Sequence, residues 1–173
     1  AAIRPPKAMK PSEWVEANVV ATDGVKAGSL IKLHPFQRGM MDAITEDRRK
    51  IVFKCSAQLS KTMILNGIIF HRIASNPTNI GVLQSNVREL NSWIAGKVKP
   101  VLEATPELKA MITDKSDRNA VNNSSIIQLR NGSFMYFMSL NSPSHLRGKT
   151  LPLIILDEVD AADESDEGNP IQL

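Results

Sequence analysis

Apolar positions along the chain change their spacing several times, and each change marks an expected element. In "LHPFQRGMMDAIT" the residues Phe36, Met40, Met41 and Ile44 recur at near-helical intervals, so a helix is expected to start near Pro35. "KIVFKC" is a short β-branched and aromatic run that predicts a strand over residues 50–54. Over residues 61–74, Ile64, Leu65, Ile68, Ile69 and Ile73 mark a largely buried helix that "SNPT" ends. "NIGVLQS" reads as a second strand, and residues 87–102 as a helix with Leu90, Trp93, Ile94, Val98 and Leu102 on its apolar side. Pro100 is expected to kink or shorten that helix, and a further short helix is expected after Pro106. "SSIIQLRNGSFMYFMSL" predicts a hairpin with Asn131-Gly132 in a type I′ turn. "LPLIILDE" is an unbroken apolar run into two carboxylates, the pattern of a central strand buried on both faces. Ahead of all these, the first thirty residues read as an extended arm with one short helix. Ser12 is its expected N-cap, Glu13 and Glu16 lie in its first turn, and Trp14, Val15 and Ala17 are available for packing.

Strand, loop, helix, strand, helix, hairpin, strand is an α/β order. With 173 residues and 42% hydrophobic content, the chain suffices for one domain with a substantial core. The 23% charged and 5% aromatic fractions are those of an ordinary globular protein and point to neither disorder nor a membrane. No apolar run approaches the roughly 18 residues needed to span a bilayer. The N-terminal "AAIRPPKAMKP" lacks the apolar segment of a secretory signal, so a cytoplasmic location is expected. A single cysteine, Cys55, agrees with a reducing compartment.

Charge is spread unevenly along the chain. The net charge is only +3, but seven of the 18 acidic residues lie from Asp157 onward, where there is no Lys or Arg. Residues 1–156 therefore carry 21 basic against 11 acidic residues, a net +10. A basic body suits a polyanion such as DNA or a nucleotide, and equally a well-solvated surface with an acidic tail.

Four stretches carry candidate chemistry. "KCSAQLSKT" stands between the expected strand at 50–54 and the expected helix at 61–74. It has the outline of a phosphate-binding loop, GxxxxGK[ST], with Cys55 and Ser60 at the two glycine positions and Lys61 and Thr62 retained. A helix N-terminus offers unpaired N–H groups to a phosphate; Lys61 would neutralise β- and γ-phosphate charge and the Thr62 hydroxyl would ligate Mg²⁺. About a hundred residues further on, "LIILDE" would deliver Asp157 and Glu158 to the carboxyl edge of a sheet. There Asp157 can hold Mg²⁺ through water, and Glu158 can polarise a water that attacks the γ-phosphate. Gln37, placed by Pro35 and packed through Phe36, has an amide able to read both the donor and the acceptor of adenine, or is a polar residue on an exposed helix face. Arg147, beside Gly148 and Lys149, lies in a loop that faces phosphate, DNA or only solvent. His71 and His145 have no partners at metal-ligand spacing and read as structural, and Cys55 as a small apolar filler.

Taken in order, "LHPFQRGMMDAI", "KCSAQLSKTMIL", "IGVLQS", "GKVKPVLEATPEL", "LRGKTLPLIILDEVDAA" and "DEGNP" resemble the ATPase region of the large terminase subunit of tailed bacteriophages, the lambda-like branch most of all. The resemblance runs from about Leu33 to Asn169 and rests on the ordered set more than on any one motif. It implies an α/β P-loop NTPase of the ASCE type, a three-layer sandwich with a mostly parallel sheet, an added antiparallel hairpin and an N-terminal helical arm. The implied division is an arm at 1–32 and an ATPase domain at 33–173. It also implies ATP and Mg²⁺ as ligands and double-stranded DNA as the cargo pushed into a procapsid. The implied partners are the small terminase subunit, the portal, a nuclease domain of the parent chain and other copies on the portal, with no membrane, in the host cytoplasm.

Carried over by position, the resemblance puts the adenine motif on Phe36 and Gln37 and Walker A on Cys55 to Thr62; the backbone of Ser56, Ala57, Gln58, Leu59, Ser60 and Lys61 is then expected to bind phosphate, and Lys54 is a candidate second cation beside it. It puts the Walker B Asp and the catalytic Glu on Asp157 and Glu158, so Thr62 and Asp157 are expected to hold Mg²⁺ and Lys61 to act with Glu158; Arg147 joins this catalytic set on its own chemistry, not by the resemblance. Ser60 departs from the family's usual glycine. The chain also stops at Leu173, before the family's coupling motif, so a sheet lacking its central strand is expected. A helicase-like DNA-dependent ATPase, or a degenerate module that binds DNA or a partner without catalysis, fits the same residues.

Overall fold

The computed structural model describes residues 9–56, 59–113, 121, 123, 125–141 and 146–161. They fall into two compact units, Ala1–Asn76 and Pro77–Leu173.

The first unit is helical. Helix α1 spans Pro11–Asn18, α2 Pro35–Asp42 and α3 Lys61–Ser75. Ser12 is not the cap of α1: Lys10 is, and its N–H donates to Glu13 Oε2 at 3.2 Å. Ser12 sits inside the first turn, where its N–H and hydroxyl donate to Asp42 Oδ1 and Oδ2 at 2.9 and 2.8 Å. The carboxylate at the end of α2 thus holds two polar groups at the start of α1. Glu16 adds a second tie, accepting from the Leu33 N–H at 2.9 Å and from Arg38 Nη2 at 2.8 Å. Trp14 and Val15 are buried as expected, while Ala17 faces solvent. Between α1 and α2 the chain makes a small loop pinned by an antiparallel bridge of Val20 to Leu30. The sequence carries little sign of this bridge.

Helix α2 buries Gln37 and Met41, one turn apart, and leaves Phe36 44% exposed. The expected apolar stripe through Phe36 is therefore rotated. A polar Gln takes the inward position because its Oε1 is used at once, accepting from the His34 N–H at 2.7 Å. Helix α3 follows its expected apolar pattern, with Ile64, Ile68, Ile69 and Ile73 buried and Leu65 half-buried. Gly67 lets α3 come close: a Cβ there would lie 2.5 Å from Met41 Cε and 3.3 Å from Val15 Cγ2.

The strand expected at 50–54 does not form. Burial alternates from Ile51 to Ser56, half-buried then exposed, with Val52 74% exposed, yet no ladder joins these residues to a neighbour among the described residues. Alternation sets which side chains face inward; a strand also needs a second backbone at pairing distance, which local sequence cannot specify.

The second unit holds a four-stranded sheet in the order β2-β3-β1-β4, from β1 Ile80–Gln84, β2 Ile126–Gln128, β3 Phe134–Ser139 and β4 Leu153–Asp157. Strand β1 pairs parallel with both β3 and β4, and β2 pairs antiparallel with β3. The α/β class with a mostly parallel sheet and one antiparallel hairpin is as expected. Between β1 and β2 run α4 Val87–Trp93, a π-helical stretch Ile94–Val98, α5 Lys99–Ala104 and α6 Pro106–Lys109. Asn86 caps α4, its Oδ1 accepting from the N–H groups of Arg88 and Glu89 at 2.9 and 3.3 Å. The π stretch comes just before Pro100, which sits in the first turn of α5, where its missing N–H does no harm. Leu90, Trp93, Ile94, Val98 and Leu102 are all buried.

Two details of the sheet differ from expectation. The β2–β3 turn is not type I′: Gly132 has φ 87°, but Asn131 is not left-handed. Leu129 accepts from the Gly132 N–H at 3.0 Å and donates to Ser133 O at 2.8 Å, the pattern of a three-residue loop. Asn131 is held instead by its side chain, which donates to Pro77 O at 2.8 Å and accepts from the Ser133 N–H at 3.0 Å. And β4, expected to be buried on both faces, pairs only with β1 among the described residues, leaving Ile154 48% exposed.

Candidate functional site

In the first unit the loop enters α3 through Ser60, the N-cap, at φ 55° and ψ 32°. This is the left-handed conformation that glycine adopts without cost. The Ser60 carbonyl accepts from Met63 N at 3.0 Å and Ile64 N at 3.2 Å, which starts the helix directly after it. Lys61 and Thr62 therefore occupy its first turn, both half-buried, where N–H groups have no intrahelical partner. Lys54, Ser56 and Leu59 are exposed, and Cys55 is half-buried with a free thiol. Ala57 and Gln58 lie outside the described residues.

Also in this unit, Gln37 is 4% exposed and its carbonyl is committed to the His34 backbone. Phe36 is not packed inward but stacks on the His34 ring, with centroids 5.9 Å apart and planes at 7°. His71 is fastened to Met9 O at 3.0 Å and meets the Trp14 ring edge-on, and burial pushes its pKa below the ordinary 6.5.

In the second unit Asp157 ends β4, and Glu158 follows it at φ 53° with its N–H donating to Asp157 Oδ1 at 3.1 Å. Both side chains are half-buried. A short 3₁₀ helix, Val159–Ala161, follows Glu158 directly. Arg147 lies exposed in a turn closed by Lys149 N to Leu146 O at 3.2 Å, with Gly148 at φ 75°. Lys149 Nζ lies 5.4 Å from the centre of the Tyr136 ring. Leu146 and Leu151 anchor this segment on Leu83, Met138 and Leu140. Gly81 makes room for it, since a Cβ there would meet Leu151 Cδ1 at 2.9 Å. His145 lies outside the described residues.

One residue that sequence reading passed over stands beside Asp157. Gln84 ends β1 and is the register partner of Asp157 on one side and of Ser139 on the other. It is 5% exposed, and its Oε1 has no hydrogen-bond partner. The only sequence signal is a polar residue closing an apolar strand.

No group of three His, Cys, Asp or Glu able to hold a metal occurs among the described residues. Mg²⁺ does not need such a cage, because it is held by one or two carboxylates, waters and the phosphates of its substrate. An orphaned acceptor next to Asp157 fits the same ion, because its waters are donors.

A mostly parallel sheet with carboxylates at its C-terminal edge, and a helix whose first turn presents a lysine and a hydroxyl, are features of α/β proteins that bind ligands at strand ends and helix starts. Within that class the chain belongs to a defined family: the model of the phage terminase large subunit gpA ATPase domain matches residues 24–173. Comparison with curated proteins finds no match. Among the described residues no helix is long and apolar enough to cross a membrane.

Proposed function

We propose that the chain is the ATP-hydrolysing motor region of a lambda-like terminase large subunit, of the ASCE P-loop type, that drives double-stranded DNA into procapsids. Lys61 and the N–H groups of Ser56, Ala57, Gln58, Leu59, Ser60 and Lys61 bind phosphate, with Lys54 as a second cation and Phe36 and Gln37 at the adenine. Thr62 contributes a hydroxyl, and Asp157 a carboxylate, to Mg²⁺. The ion, when bound, neutralises charge on the transferring phosphate. Glu158 takes a proton from the attacking water, and Arg147 stabilises charge as the γ-phosphate bond breaks. DNA, the small subunit, the portal and sister copies are the partners, in the host cytoplasm.

The observation that carries this reading is that the family match over residues 24–173 contains both the Lys61-Thr62 helix start and the Asp157-Glu158 strand end. Supporting it, Ser60 holds the backbone state of the glycine it replaces.

The test is a thermal shift with ATP and Mg²⁺. Wild type is expected to be stabilised by about 3 kcal/mol at a hundredfold excess over Kd. Lys61→Ala is expected to lose that shift, and Glu158→Gln to keep it while abolishing turnover. No shift in wild type, together with DNA affinity unchanged in Lys61→Ala, establishes instead a binding module without catalysis.

A further inference from the structure

We propose that Gln84 is a positioning residue for the Mg²⁺ that Asp157 holds, its Oε1 accepting a hydrogen bond from a water in the metal's shell. The inference rests on the proposed role of Asp157.

Register comes first. Gln84 pairs with Asp157 across the β1–β4 ladder and with Ser139 across the β1–β3 ladder. In-register residues on adjacent strands project to the same face, so three polar side chains form one row at the carboxyl ends of three parallel strands. That edge is where open α/β sheets receive their ligands.

Burial comes second. The rest of β1 is Ile80, Gly81, Val82 and Leu83, all enclosed, and Gln84 is 5% exposed. A strand in this setting gains by ending in another aliphatic residue. Instead it ends in an amide whose oxygen is left without a donor. An unsatisfied buried acceptor lowers stability, and such exceptions in a folded protein call for a ligand or a functional reason.

The chemistry of the orphan decides what it fits. Oε1 is an acceptor, and so is the ionised Asp157 carboxylate, so the two cannot bond each other directly. Ser139 Oγ accepts from the Asn141 N–H at 3.1 Å and makes no hydrogen bond to Gln84 Oε1. A donor is what Oε1 lacks, and water on a divalent cation is a strong donor. Mg²⁺ gives up its waters reluctantly and therefore keeps several of them to be oriented. An outer acceptor that orients a metal's shell typically affects metal affinity by 10–100-fold.

The test uses Gln84→Met, which keeps length and bulk but removes the acceptor, and Gln84→Glu, which keeps an acceptor. Two quantities are read by thermal shift on the full chain: apo stability without Mg²⁺, and the Mg²⁺ concentration giving half the shift with a non-hydrolysable ATP analogue. Gln84→Met is expected to match or exceed wild type in apo stability, yet to need at least about tenfold more Mg²⁺. Gln84→Glu is expected to need less Mg²⁺ than Gln84→Met. A wild-type Mg²⁺ requirement in Gln84→Met overturns the proposal, as does a marked loss of its apo stability, which would make Gln84 a structural core residue. If wild type itself shows no Mg²⁺-dependent shift, the role of Asp157 falls and this inference falls with it. A normal wild-type response with an unchanged Gln84→Met removes only the role of Gln84.

Discussion

Ser60 and Glu158 share a positive φ, 55° at the first and 53° at the second, and no other non-glycine residue among those described has one. Left-handed backbone costs an L-residue about 1–2 kcal/mol. It persists where surrounding structure dictates it, and such residues collect at functional sites. One of the two caps the helix that begins with Lys61, and the other follows Asp157.

Ser60→Gly is expected to stabilise the protein by about 0.5–1 kcal/mol, the relief of left-handed strain outweighing the greater freedom of glycine in the unfolded chain. Ser60→Val is expected to destabilise it. Urea unfolding of the three proteins measures the order, and a less stable Ser60→Gly would contradict a left-handed Ser60.

Asp42 joins α1 to α2 through its two bonds to Ser12. Asp42→Ala leaves both donors without their acceptor and is expected to cost about 1–3 kcal/mol, with Asp42→Asn in between. Equal stability of the alanine variant in chemical denaturation would show the clamp to be idle.

Gln37→Leu removes the acceptor of the His34 N–H at the start of α2 and is expected to cost about 1 kcal/mol. The loss is expected to be the same with and without nucleotide if Gln37 serves only as a cap. An added fall in ATP affinity relative to GTP is the result that the proposed adenine role requires.

Stability is expected to fall as pH drops below about 6.5, because of His71. Burial is the main cause of its lowered pKa, opposed by the bond to Met9 O. Below the ordinary value of 6.5 the unfolded chain binds a proton that the folded chain resists, so acid favours unfolding until the folded pKa is passed. His71→Gln is expected to flatten the fall in melting temperature as pH drops below 6.5. Glu16 acts at lower pH. Its bond from the Leu33 N–H leads the causes that hold its pKa below 4.5, so its stabilisation is lost as acid protonates it in the fold.

Helices were legible where apolar residues alone set the facing side, as in α3 and the stretch from Leu90 to Leu102. In α2 the same rule turned the helix wrongly, since it counts Phe36 as core and Gln37 as surface. The structure reverses both, because a cap bond satisfies the amide oxygen and lets it go inside. The Asn131-Gly132 pair located a turn but not its type, which depends on the Asn131 side chain reaching Pro77, 54 residues away.

Local spacing was enough for the sequence by itself to determine where α3 starts, which residues close β4 and the family that both motifs mark. Those features depend on neighbours within a few positions. Long-range pairing settles, among the described residues, that 50–54 have no ladder, that β4 pairs on one side and that Gln84 stands beside Asp157. Strand pairing joins backbones separated by tens of residues, and no local periodicity encodes which two will meet. The left-handed backbone at Ser60 belongs to the same group, since serine prefers another conformation and the caps of α1, α2 and α4 are extended.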